Sequence, residues 1–380
     1  MISGMEINAQ PVTAVSLPAA CDGPLAPGVP GRRLVTTRTD TTLAVYDLGR
    51  PAAAAPLVTF PAPWPRGASG VDAVAPGLDL AVFAGLHAVR GVTPDGVTRW
   101  EVPHGCWGCE EFHETADEYA GDPDHKYPDQ GSACFGTDGR TVWAHVREQL
   151  DEDDDPRGES SPEAWLVIDP ADGTVVARAG TGTYAAGSHH LPNPDPAVMG
   201  LAVGEGQDGS PALWGRLTGG VLHVERLAGD DRVLVAVGPG GRTFLTRGHE
   251  RGQELTVHRA SGHAVLGTVL ADVLEPADPA ARWGFRCGLV DDRTLVAGTS
   301  EHGYGTADVR HWLIDVETLE VRGPIRYPAV ADPGPHPIGL GDGTWLTMSP
   351  GGEDVHVWRL PPAGRVSGPG GPPGAMRSAG

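Results

Sequence analysis

Four residues packed into ten positions have the types that hold metals: His104, Cys106, Cys109 and His113, spaced H-x-C-x-x-C-x-x-x-H. Zinc in tetrahedral coordination accepts such a mixed sulfur and nitrogen set, copper also takes it, and C-x-x-C is a common half-site. The same two thiols could instead form a reducible pair, or the segment could be a plain ordered loop. Downstream, "EEFHETADEYAG" (110–121) has a spacing that predicts a short helix with Glu110, His113 and Asp117 on one face. Two carboxylates and an imidazole converging in that way serve acid–base catalysis or oxygen-rich metal binding, against the simpler alternative of a solvated acidic helix. The second histidine of a zinc-protease helix is absent from 113–117.

Other motifs are excluded by chemistry. The acidic run 150–163 alternates Asp151, Asp153 and Asp155, but a calcium loop starting at Asp151 would need Gly and Glu where Pro156 and Pro162 stand. A flexible acidic loop is the better reading. Gly204-x-Gly206-x-x-Gly209 precedes a strand-like stretch instead of opening a helix, so it is no dinucleotide site. Lys126 is the only lysine, which leaves no room for a phosphate-binding Gly-Lys-Ser/Thr loop or a buried Schiff-base lysine. Acidic residues outnumber basic ones 49 to 28, a net charge of −21 that repels nucleic acid and anionic lipid. No apolar run approaches the roughly 20 residues of a membrane helix, and no export signal is visible, so a cytoplasmic protein with free thiols is expected. Cys134 and Cys287 lie in apolar strand-like contexts and are expected to be buried, inert thiols.

The elements that must position these groups are short strands. Six segments read strand, tight Gly/Asp turn, strand, starting at Val71, Ser132, Val198, Leu234, Phe285 and His336. A second strand–turn–strand pattern follows them, clearest in "AWLVIDPADGTVVAR" from Ala164 and "HWLIDVETLEVRG" from His311. Four antiparallel strands per unit, repeating at roughly 40–45 residues plus insertions, are the signature of propeller blades. The units fall at 20–60, 68–103, 131–180, 186–228, 230–270, 282–327 and 333–360, the last completed by a strand at 8–17. The expected fold is all-β: a single seven-bladed propeller domain of four-stranded antiparallel blades, closed by an N-terminal strand and followed by a flexible Pro/Gly-rich tail, 361–380.

With blade endings such as "VHVWRL" (355–360) and "VIDPADGTVV" (168–176), the chain resembles the WD-repeat and quinoprotein-like β-propeller superfamily. The resemblance is architectural. The usual Gly-His and Trp-Asp dipeptides are missing and nothing marks a quinone site, so no family activity carries over.

In such a blade the first-to-second and third-to-fourth turns share one rim, and the sequence keeps them terse: "TDGR" (137–140), "PGGR" (239–242), "VDDR" (290–293). The long segments, 61–70, 104–130, 149–162, 183–194, 271–284, 300–309 and 327–337, share the other rim. Long loops on one face of a rigid scaffold usually carry function. Binding anchors expected there are Trp64, Arg66, Trp107, His190, Trp283, Arg286, Tyr304 and His336, for a partner protein, peptide or small molecule, though a Trp at a loop base also serves merely to pin the loop. The alternative is an enzyme, a lyase, cyclase or hydrolase, using His104, Glu110, His113, His189 or His302 at the same mouth.

Overall fold

The computed structural model describes residues 6–26, 28–50, 55–109, 111–122, 125, 128–148, 163–227, 232–249, 252–274, 282–300, 310–329 and 333–362. Alternating apolar residues, punctuated by glycine turns, give short antiparallel strands because each strand has one face to bury and a turn within reach. Blade 1 consists of Cys21–Pro24, Leu34–Arg38, Thr42–Asp47 and Val58–Pro61, from the inside outwards. Blade 2 consists of Ala73–Val74, Ala81–Ala84, Ala88–Val92 and Thr98–Pro103, and blade 3 of Ser132–Phe135, Val142–Arg147, Glu163–Ile168 and Val175–Gly180. Gly187–Pro192, Val198–Gly204, Ala212–Thr218 and Val221–Arg226 build blade 4; Arg232–Val237, Thr243–Gly248, Glu254–Arg259 and Val265–Leu270 build blade 5. Blade 6 is Arg282–Leu289, Thr294–Ser300, Arg310–Asp315 and Val321–Arg326, to which Ile7–Asn8 adds a short parallel fifth strand. Blade 7 takes Ile338–Gly339, Thr344–Met348 and Asp354–Arg359 from one end of the chain and Gln10–Ser16 from the other, paired antiparallel. The protein is an all-β seven-bladed propeller closed by an N-terminal strand.

Blade 4 departs from the sequence reading by one strand. The hairpin starting at Val198 is the second and third strands, and the inner strand, Gly187–Pro192, lies within the stretch read as a loop at 183–194. That inner strand carries Ser188 and His190 inward, so its buried positions look polar in the sequence. The Gly204/Gly206/Gly209 stretch therefore connects second to third strand, and opens no helix.

Among the described residues, seven apolar clusters hold the ring together, each bridging neighbouring blades. Phe60 and Val45 of blade 1 meet Phe83 of blade 2, for example, and Trp345 and Trp358 of blade 7 meet Val296 of blade 6. The seam across the closing blade is built the same way, with Val35 and Tyr46 against Leu346 and Val357. Trp143, Trp165, Trp283, Trp312, Trp345 and Trp358 are all but fully buried. Each removes about 200 Å² from water, a gross gain of about 5 kcal/mol before conformational entropy is set against it. Cys134 and Cys287 lie in this interior, and burial pushes both thiols up to about 12. No helix among the described residues is long and apolar enough to cross a membrane.

The terse rim is stitched from blade to blade. Arg242 of blade 5 reaches Asp292 of blade 6 at 2.8 Å, and Arg33 of blade 1 reaches Asp342 of blade 7 at 2.8 Å. Near the axis the inner strands of blades 6 and 7 run so close that a Cβ on Gly288 would fall 1.8 Å from the Gly339 nitrogen. Gly288→Ala is accordingly expected to cost about 1–3 kcal/mol in urea unfolding, whereas Gly180→Ala, which meets nothing within 4 Å, should be close to neutral.

His311 provides a second check. Burial holds its imidazole down at about 3, and its Nδ1 lies 2.7 Å from the Tyr327 hydroxyl. The unfolded chain takes up that proton near pH 6.5 and the folded one only near 3, so this contribution is full above about 6.5 and is lost as pH falls toward 3. Unfolding free energy measured against pH should decline over that window, and His311→Gln should remove close to one proton, about 1.4 kcal/mol per pH unit, from the slope.

Candidate functional site

The crossover from blade 2 to blade 3 begins under firm control. His104 N donates to His87 O (2.8 Å), Gly105 N to Arg147 O (2.9 Å) and Trp107 N to Leu86 O (2.9 Å). The Trp107 indole is buried edge-on against His145. With the base fixed, the next turn delivers Cys106 and Cys109, whose sulfurs accept the backbone N–H groups of Gly108 (3.3 Å) and Glu111 (3.4 Å). The loop then turns through a short 3₁₀ segment, Ala116–Glu118, where Thr115 and Glu118 form a reciprocal capping box. This one turn replaces the helix expected over 110–121. Too many of those residues are spent closing the loop around its sulfurs for a regular helix to propagate.

The loop also brings in a residue that spacing did not single out. His125 Nε2 lies 3.3 Å from Cys106 Sγ, and His113 Nε2 lies 3.2 Å from Cys109 Sγ. The ligand atoms of Cys106, Cys109, His113 and His125 all fall within 4.8 Å of one another. His104 is not among them. It is buried with Nδ1 turned to Gly105 O at 2.7 Å, and burial holds it down at about 4. Behind the cluster, Tyr119 stacks on His125 (4.8 Å between ring centres, 12° apart) and its hydroxyl reaches His87 Nδ1 at 2.9 Å. Burial pushes the Cys106 thiol up to about 11 and the Tyr119 hydroxyl up to about 12.

The tryptophans expected as binding anchors are loop pins. Trp64, Trp107 and Trp283 are 3%, 2% and 0% exposed. Arginines near the ends of second strands reach the backbone of all three: Arg38 to Trp64 O (2.7 Å), Arg247 to Trp283 O (2.6 Å), and Arg147 to Trp107 O (3.5 Å). Among the described residues the exposed aromatics are Phe112 and Tyr184, on the crossovers into blades 3 and 4, and Phe285, in the inner strand of blade 6. Arg247 lies over the Phe285 ring at 3.8 Å. Residue type alone says little about which aromatic points inward, and the sequence reading took the larger ring for the exposed one.

The remaining candidates scatter. His189 and His336 are exposed, and Arg66 is exposed and paired with Asp22 at 2.7 Å. Glu110, His302 and Tyr304 lie outside the described residues, as do the side chain of Arg286 and the acidic segment 149–162. His190 is buried, in a relay the sequence did not show. Trp165 Nε1 donates to His190 Nε2 (2.9 Å), His190 Nδ1 meets Ser132 Oγ (3.0 Å), and Ser132 meets Ser188 Oγ (2.8 Å). Ser188 in turn meets His145 Nδ1 (3.0 Å), whose Nε2 lies 3.2 Å from Glu163 Oε2. Thr183 Oγ1 and Ala185 N donate to the same carboxylate, both at 2.6 Å. This chain of polar groups joins blades 3 and 4 through their shared interface.

A cavity of about 320 Å³ opens at the other, terse rim, where the inner strands diverge around the axis. Pro194, Val237, Pro239, Leu289 and Leu340 line it with Thr137 as a hydroxyl, and among the described residues no charged group lines it to orient a ligand.

The Arg38 clamp makes a quantitative test. Its pair with Asp72 (2.8 Å) is 5% and 4% exposed, and burial raises the Asp72 carboxyl above its usual range despite the guanidinium beside it. Arg38→Met should cost about 3–5 kcal/mol in chemical unfolding, because it strands a buried carboxylate, and adding Asp72→Asn should recover most of the loss.

No family model and no curated protein matches the sequence. Among solved structures the chain is similar to the β-propeller domain of Cps50 (Swd1) from Myceliophteria thermophila, with a TM-score of 0.55 at 8% identity over 93% of this chain and 100% of that one. At that identity the likeness supports the propeller architecture alone.

Proposed function

We propose that this propeller is a binding module whose recognition surface is the long-loop rim, and that it takes a protein or peptide segment carrying apolar and basic residues. The observation that carries the reading is the exposure of Phe112, Tyr184 and Phe285, 40%, 48% and 41%, the first on the crossover pinned by Trp107, the second on the crossover into blade 4 and the third in the inner strand of blade 6, two residues after the buried Trp283. Ordered loops lose little freedom on binding, so their aromatic faces convert to affinity efficiently. Glu111, Glu114, Asp117 and Asp122 surround Phe112 in sequence and are exposed, which complements a basic partner and speeds encounter.

A second reading, catalysis at the same mouth, is favoured by one observation: Ser188, His145 and Glu163 stand in line as nucleophile, base and carboxylate do. Ser188 is only 9% exposed, however, and is already bonded to Ser132. A fluorophosphonate that esterifies Ser188 in the native chain, but not in His145→Ala, would support a hydrolase; an unlabelled serine leaves the binding reading in place.

Binding is tested by crosslinking the full chain in its native cell and comparing rim variants. Phe112→Ala, Tyr184→Ala and Phe285→Ala should each weaken capture of the partner roughly 30-fold, the effect of about 2 kcal/mol. Arg140→Ala and Arg293→Ala on the terse rim should leave it unchanged. The opposite pattern would move the recognition surface to the terse face.

A further inference from the structure

We propose that Cys106, Cys109, His113 and His125 bind one zinc ion as a closed, structural site. The inference is independent of the binding reading above. Tetrahedral zinc held at about 2.3 Å by sulfur and about 2.0 Å by nitrogen needs neighbouring ligand atoms roughly 3.3–3.8 Å apart. The four atoms here lie within 4.8 Å of one another, with sulfur–nitrogen separations of 3.2 and 3.3 Å, so small side-chain adjustments close the tetrahedron.

The surroundings are those of a metal site and not of a chance cluster. Both imidazoles turn Nε2 to the sulfurs and Nδ1 to a carboxylate: His113 to Glu118 Oε2 at 3.5 Å, His125 to Asp122 Oδ2 at 3.3 Å. A carboxylate beside Nδ1 favours the proton there and leaves the Nε2 lone pair for the ion, although His125 Nδ1 lies beside Asp122 without a hydrogen bond. Backbone N–H groups donate to both sulfurs, an arrangement that metal-bound sulfur ligands also accept. Of the two residues between the cysteines the second must be small, since a Cβ on Gly108 would lie 2.4 Å from His125 Cδ2.

Charge selects a divalent ion. Two thiolates and two neutral imidazoles cancel the charge of Zn²⁺, so the filled site is neutral where Cys106 and His113 are buried. Tetrahedral S₂N₂ geometry favours zinc over the tetragonal arrangement of Cu²⁺. Because the protein supplies all four ligands, no position stays open for water or substrate, and the ion's role is to close the loop. What it fastens is the crossover presenting Phe112, joining the turn after blade 2 to the return segment at His125.

The test is metal content and cobalt spectroscopy on the full chain purified with its thiols reduced. About one zinc per chain should survive dialysis, and Co²⁺ added to chelator-stripped protein should give the visible bands of a tetrahedral S₂N₂ complex. Cys106→Ser, Cys109→Ser and His125→Ala should abolish retention, and His104→Ala should keep it. Glu118→Gln and Asp122→Asn should each weaken zinc affinity roughly 10–100-fold. The proposal is overturned if the reduced native chain binds neither zinc nor cobalt, or if His104→Ala loses the metal while His125→Ala retains it. Should ligand variants fail to fold, the cobalt titration of the native chain decides alone.

Discussion

A single four-stranded blade has two apolar faces and cannot satisfy both by itself, so everything in this molecule depends on the packing of one small sheet against the next. The clusters lie at the seams between blades, and the indoles of Trp143, Trp165, Trp312 and Trp345 fill them. Such an arrangement has no free end that could be left dry and unpaired, and closure of the ring follows from it. Once the seams are filled, the rims are the only places where sequence is free to vary in length, and most of the long segments lie on one of them, the connections 25–33 and 48–57 of blade 1 being the exceptions.

That freedom is bounded by pins. The crossovers after blades 1, 5 and 2 leave the ring with their bases fastened: Trp64 by Arg38, Trp283 by Arg247, and the 104–125 loop by three backbone bonds and Trp107. The large aromatic at a crossover base spends its surface on the core, and smaller rings further along face solvent. Buried polar groups in the same region largely bond one another, as in the run from Trp165 through His190 and the two serines to His145, whose Nε2 lies beside Glu163 at 3.2 Å without a hydrogen bond.

Periodicity made the ring legible, because strand, turn and strand recur with glycine where the chain reverses. It failed by one strand in blade 4, where the inward positions are Ser188 and His190 and so broke the apolar alternation. In the Cys/His loop, spacing showed three of the four clustered residues. The fourth, His125, follows His113 by a path through a turn, a capping box and the stacked ring of Tyr119, none of which a count of intervening residues encodes. His104 was the attractive wrong choice for the same reason: it is near Cys106 along the chain, but its ring is held on the other side by Gly105 O. Exposure of Phe112, Tyr184 and Phe285 depended on three-dimensional crowding, which residue type does not report.

Blade 7 is shared between the two ends of the fold, with Gln10–Ser16 laid against Asp354–Arg359, Leu17 N bonded to Glu353 O and Arg33 reaching Asp342 over the same seam. During synthesis the first of these strands leaves the ribosome more than three hundred residues before its mate. It must stay unpaired, or be shielded by a chaperone, through the making of six blades. The annulus thus acquires its stability in one late step, and a chain released before that step offers proteases a row of half-built sheets.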